Sequence, residues 1–184
     1  MCRAAKDASD GKMIWIVSLD AVTDGTYGRM RGGEGTIGKA SASIPLLQKY
    51  FPGNVYPQMV RTKENECELE KFYRYWKDGG SPSAGQLIIQ KYDSFAGLLP
   101  DIKPADLSPV GRNPCWHIRR DMTILADGSV PVCREYMFEH IIGNVFSEDL
   151  ETVWNKMTPY VSKDMKGDYD EKCRKCDEYY TFNF

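Results

Sequence analysis

The chain has 184 residues, room for one ordinary domain or two small ones, and 24 basic against 26 acidic residues leave a formal net charge of −2. That balance offers no broad basic surface, so no nucleic acid is expected as a partner. No run of 18 apolar residues occurs and Met1 to Lys12 lacks the apolar stretch of a signal peptide, so neither membrane insertion nor export is expected and the cytoplasm is the expected location.

In chain order, Met13 to Leu19 (MIWIVSL) is a nearly continuous apolar run, which suits a strand buried on both faces of a parallel sheet. Ile37, Ala40, Ile44 and Leu47 then follow helical spacing. Pro45 interrupts that pattern, so a kink or a helix restarting at Pro45 is expected. Asn54 to Arg61 is a second, weaker strand, and Pro57 argues against a central place for it unless pairing begins at Gln58. Asn65 and Glu68 have the spacing of a capping box. Leu69, Phe72, Tyr73 and Trp76 give the next helix its apolar face, and Gly79-Gly80 ends it. Leu87 to Tyr92 is a third strand. Strand, helix, strand, helix, strand makes two right-handed βαβ units. Four prolines between Ala96 and Pro114 mark an extended linker.

The last third changes character. Met122 to Leu125 and Val130 to Arg134 flank Ala126-Asp127-Gly128-Ser129, a hairpin signal. Gly143-Asn144 reads as another turn. Ser147 is placed to cap a helix from Glu148 to about Met157, with Leu150, Val153, Trp154 and Met157 as its apolar face.

Four of the six cysteines fall into one pattern. Cys115, Gly128 and Cys133 read C-x12-G-x4-C, and 39 residues later Cys173 and Cys176 read C-x2-C. Four thiolates suit one tetrahedral zinc or one four-iron cluster. Two disulfides are the alternative, and a cytosolic protein has little use for them. Cys67 points off the apolar face of its helix, and Cys2 lies in a terminus expected to fray, so neither joins the set.

Gly33-Glu34-Gly35-Thr36-Ile37-Gly38-Lys39 matches the letters of a dinucleotide or phosphate loop. Such loops must turn directly from a strand into a helix, and here the first strand ends near Ala21, well before Gly33. Ala40 also stands where a magnesium-binding hydroxyl would be needed. A glycine-rich loop before a helix is the expectation.

With Cys115-Trp116, Ile124 to Val130, Val132-Cys133, Ile142-Gly143-Asn144-Val145 and Leu150 to Trp154 around it, the cysteine pattern resembles the auxiliary-cluster domain of radical S-adenosylmethionine (SAM) enzymes. That domain is called SPASM in its long form and twitch in its short form. Val17 to Asp20, Arg29 to Gly32, Gln58 to Arg61 and Leu87 to Tyr92 resemble the later strands and loops of the same family's partial barrel. A weaker resemblance is to the spiro-SPASM subgroup. The family's C-x3-C-x2-C motif is absent. The sequence therefore reads as the C-terminal part of a longer enzyme.

The fold expected is α/β: about three β/α units of a partial barrel over residues 1–100, a linker over 101–114, and a small hairpin-and-helix domain over 115–184. The resemblance implies an auxiliary [4Fe-4S] cluster on Cys115, Cys133, Cys173 and Cys176, of the short form because four ligands complete one cluster. It implies an electron relay, or help in holding a peptide or small-molecule substrate. SAM and a second [4Fe-4S] cluster would belong to the full-length parent alone. Ser18, Asp20 and either Arg29 or Arg31 would face the SAM carboxylate, and Asp93 would meet substrate or act as a base. Arg119, Arg120, Arg134, Arg174 and Lys175 lie near the ligands in sequence, placed to offset the cluster's charge. A non-catalytic module stabilised by four-cysteine zinc is the competing reading. A cut barrel would leave Met13 to Leu19 with an unpaired edge, and self-association through it is expected.

Overall fold

The structure, a computed structural model, describes residues 2–33, 36–137 and 139–180. It divides into two compact units, Met1–Tyr92 with Ile102–Ala105, and Asp93–Asp101 with Asp106–Phe184.

The first unit is a three-stranded parallel sheet covered by helices. Its strands are β1 (Trp15–Ser18), β2 (Val55–Arg61) and β3 (Ile88–Lys91), in the order β1-β2-β3. Helices α1 (Cys2–Ser9), α2 (Asp24–Arg31), α3 (Ile37–Ser41), α4 (Ser43–Tyr50) and α5 (Leu69–Lys77) complete it. Val55 and Met59 of β2, with Leu19, Ile44, Leu47, Phe51, Phe72 and Trp76, form the core. Trp15, Val17 and Ile89 extend the same face of the sheet onto that core.

Several expectations for this unit need correction. β1 is not buried on both faces: Ile14 is 61% and Ile16 50% exposed. Cys2 belongs to α1, which packs Cys2 and Ala5 against the core. Pro57 sits in the central strand. The carbonyls of Asn54 and Gln58 accept from Trp15 and Leu19, so Pro57 turns its nitrogen away from β1. On its other side, pairing with β3 begins only at Gln58, so no ladder bond is lost there. The helix over residues 37–50 does break, and the new helix starts at Ser43, with Pro45 tolerated in its first turn.

Asn65 and Glu68 do not form a capping box. Asn65 is fully buried; its amide donates to the carbonyls of Asp20 and Val60, and its Oδ1 accepts the N–H of Thr62. Glu68 reaches to the start of α2 instead. Its carboxylate accepts Val22 N at 2.5 Å, Thr23 Oγ1 at 2.6 Å and Thr26 Oγ1 at 2.8 Å.

In the glycine-rich stretch, residues 34 and 35 lie outside the described residues. Gly32, at φ 85°, ends α2, and Gly33 donates back to Gly28. Thr36 caps α3. The first of these glycines thus stop a helix rather than cradle a phosphate.

The second unit carries β4 (Ser129–Pro131) and β5 (Ile141–Asn144), paired antiparallel, with short helices α6 (Trp116–Arg120), α7 (Leu150–Asn155), α8 (Thr158–Met165) and α9 (Glu171–Lys175). The turn at Gly128 is present, with Leu125 N donating to Ser129 O at 2.9 Å. Residues 122–125 are not a strand, however, and β4 pairs with residues 141–144, so Gly143-Asn144 is strand rather than turn. Asp149, not Ser147, caps α7: its side chain accepts from Glu151 N and Thr152 N. Val153 and Met157 are buried, whereas Leu150 is exposed.

Candidate metal centre

The four cysteines come from three segments of the second unit. Cys115 stands at the N-cap of α6, Cys133 follows β4, and Cys173 and Cys176 bracket the end of α9. All four line one cavity of about 390 Å³. Two hydrogen bonds fix the approach of the segments. Asp164 of α8 accepts the N–H of Cys115 at 2.8 Å, and Asp170, the N-cap of α9, accepts that of Cys173 at 3.0 Å.

The thiols are prepared as acceptors. Backbone N–H groups face three of them: His117 and Ile118 at Cys115, Glu135 and Tyr136 at Cys133, and Glu178 at Cys176, the last at 3.3 Å. Such hydrogen bonds favour the thiolate. Burial outweighs them and pushes all four thiols up, Cys133 to about 12 and Cys173 to about 11. Metal binding at these cysteines would release their protons, and burial opposes that release.

The donor set fits an iron-sulfur cluster. A tetrahedral zinc would draw its sulfurs to about 3.8 Å of one another, given Zn–S of about 2.3 Å. Among the described residues, no three His, Cys, Asp or Glu side chains converge on a single ion. All four thiols line one cavity. All four cysteines are free of disulfides.

The wall contains charges that sequence proximity did not identify. Of the five cations near the ligands in sequence, Arg134 lines the cavity; Arg112, Lys163 and Lys172 line it too. Arg119 donates to the carbonyl of Cys115, Arg174 to that of Tyr169, Arg120 pairs with Asp121 and Lys175 with Glu171. Arg112 is held between Tyr169 and Tyr179, 4.6 and 4.2 Å from the ring centroids, and donates to the carbonyl of Cys176 at 3.0 Å. Buried His117 directs Nδ1 to Asp121 at 2.6 Å, and its buried Nε2 has no hydrogen-bond partner among the described residues. Asp170 carried a sequence signal, an N-cap residue before the C-x2-C pair. Arg112 and Tyr136 lie three residues from ligand cysteines but were not singled out, and Asp164 is brought to Cys115 only by folding.

The remaining candidates occupy other places. Asp93 pairs with Arg134 at 2.6 Å, and Arg134 also holds Glu135 and Glu178. Burial raises the Glu135 carboxyl to about 7, with Asp93 adding to the effect. In the first unit Ser18 donates to Gln58 at 2.9 Å on the open sheet face. Asp20 is buried, paired with Arg31, and accepts Val60 N at 2.7 Å. Arg29 pairs with Glu64. Cys67 is exposed and Cys2 packs on the first unit's core.

Residues 115–177 match the SPASM family, described as an iron-sulfur cluster-binding domain. The second unit thus contains a SPASM domain, and iron-sulfur binding is the function it indicates. A protein of Treponema pallidum (strain Nichols), described as an uncharacterized protein, is 40% identical over 192 residues. The match takes in all of this chain and 52% of that protein, so the chain spans about half the length of its relative. No solved structure matches the chain. Among the described residues, no helix is long and apolar enough to cross a membrane.

Proposed function

We propose that this chain is the cluster-bearing portion of a radical SAM enzyme of the cytoplasm, with Cys115, Cys133, Cys173 and Cys176 holding one auxiliary [4Fe-4S] cluster. The observation that carries this reading is the convergence of four cysteines from three segments on one cavity inside the SPASM match. Four thiolates fill the cluster's protein ligand positions and leave none for substrate, so electron relay is favoured over substrate coordination. The parallel sheet of the first unit would supply barrel strands. There Ser18 and Asp20 lie at the C-terminal end of β1, the end where α/β folds place ligands, and Arg31 pairs with Asp20 while Arg29 pairs with Glu64. Asp93 would approach substrate next to the SPASM domain. The substrate is a peptide or small molecule of the parent. The half-exposed edge strand β1 would pair with further strands of that parent, or with a second copy of this chain.

Anaerobic reconstitution tests the reading. About four irons per chain are expected, lost on Cys115→Ala, Cys133→Ala, Cys173→Ala or Cys176→Ala and kept on Cys67→Ala or Cys2→Ala. The reduced chain alone releases no deoxyadenosine from SAM, because it lacks C-x3-C-x2-C. One tightly bound zinc with no iron uptake after chelation would establish the structural zinc module instead.

A further inference from the structure

One hydroxyl in the cluster wall lies between two competing acceptors. Tyr136 is buried, and its backbone N–H donates to the carbonyl of Cys133 at 3.1 Å. Its phenol donates a hydrogen bond to Oδ2 of Asp170, and the same phenol oxygen lies 3.8 Å from Sγ of Cys173. The other oxygen of Asp170 accepts the N–H of Cys173. One carboxylate therefore fixes both the phenol and the backbone of the ligand beside it. The ring itself is held: His140 packs 4.7 Å from its centroid, and the ammonium of Lys172 lies 5.1 Å from it. With the ring fixed, only the O–H bond is free to turn.

A neutral Cys173 donates its own proton to the phenol oxygen, and the chain runs from Cys173 through Tyr136 to Asp170. A ligand cysteine has lost that proton. Tyr136 then faces two acceptors with a single hydrogen to give. We infer that Tyr136 is a positioning residue that would tune the reduction potential of a cluster held by these cysteines, its O–H shared between Asp170 and the Cys173 sulfur and directed more to the sulfur when the cluster is reduced by an external donor. A hydrogen bond to sulfur stabilises the reduced form, which carries one more negative charge. Asp170 opposes the turn by competing for the same hydrogen.

This inference rests on the cluster reading, so iron is counted first on the reconstituted full chain; a wild type that takes up no iron overturns that reading and this inference with it. Redox titration of the loaded chain then tests Tyr136 itself. Tyr136→Phe keeps its iron and shifts the midpoint to more negative potential. Asp170→Asn preserves an N-cap residue and shifts it positive. In a chain also carrying Tyr136→Phe, the Asp170→Asn shift is smaller, because only the loss of charge remains. An unchanged midpoint in Tyr136→Phe, or an Asp170→Asn shift equal in both backgrounds, overturns the proposal. A second measurement avoids Tyr136→Phe. In the oxidised chain the H₂O/D₂O shift of the iron-thiolate vibrations is expected to be larger in Asp170→Asn, where the phenol is released to the Cys173 sulfur, than in the wild type with its unchanged backbone N–H donors. An equal shift overturns the proposal even where Tyr136→Phe does not load iron.

Discussion

A β-carbon at Gly128 would lie 2.6 Å from Oδ1 of Asn144. Gly128 also has φ of +80°, where a side chain is strained. The Asn144 amide donates to the carbonyl of Asp127 at 3.0 Å, and Val145 N donates to that of Gly128 at 2.9 Å. The glycine of C-x12-G-x4-C is thus the point where β5 closes on the turn that leads to Cys133. Gly128→Ala is expected to destabilise the second unit by about 2 kcal/mol or more, through strain and displacement of Asn144. Chemical unfolding followed at the Trp116 and Trp154 signals would measure it, and iron retention should fall in parallel.

Glu68 joins α5 to the start of α2. Burial alone would push its carboxyl up, but hydrogen bonds from Thr23, Val22 and Thr26 outweigh that and hold it below the usual range. Glu68→Ala leaves those donors facing a void and should cost about 3 kcal/mol. The carboxyl's stabilisation is complete above its unfolded pKa and is lost as pH falls through the lower folded one. The wild-type stability advantage over Glu68→Gln should therefore shrink on acidification.

Asp20 has the opposite sign. Burial raises its pKa above the usual value of 3.8, and neither the Val60 N–H nor Arg31 restores it. Its contribution is fully present below the unfolded pKa and declines as pH rises through the raised folded one. The difference in melting temperature between wild type and Asp20→Asn, recorded from pH 3 upward, should fall across that window. A difference curve that rises instead would show that the Arg31 pair dominates the desolvation.

The shared place of the four cysteines was legible because their spacing follows the SPASM pattern, and the core helices were legible because Phe72 and Trp76 repeat with the helical period. The pairing of β4 was not legible. Asp127-Gly128 specifies a turn, but nothing local says whether the return strand pairs with residues 122–125 or 141–144. The capping-box letters at Asn65 and Glu68 misled for a related reason: both side chains are recruited by partners more than 40 residues away, Asp20 and Thr23. Asp164 and Tyr136 escaped notice because their roles exist only after folding brings them to Cys115 and Cys173.

Arg134 gathers three carboxylates in the wall beside Cys133, Asp93 among them. Its guanidinium holds Asp93 at 2.6 Å, Glu178 at 2.8 Å and Glu135 at 3.0 Å, all three carboxylates largely buried. The cluster joins residues next to Cys133 to one that lies two beyond Cys176. Arg134→Met would remove the guanidinium that pairs with three largely buried carboxylates and is expected to cost about 3 kcal/mol. Asp93→Asn should cost less, because Arg134 keeps two partners and one of the crowded negative charges is gone. Unfolding of the single and double variants separates the roles. A large coupling energy between Asp93 and Arg134 would make the pair a structural anchor of the wall beside Cys133; a value near zero would show that their contact contributes little to stability.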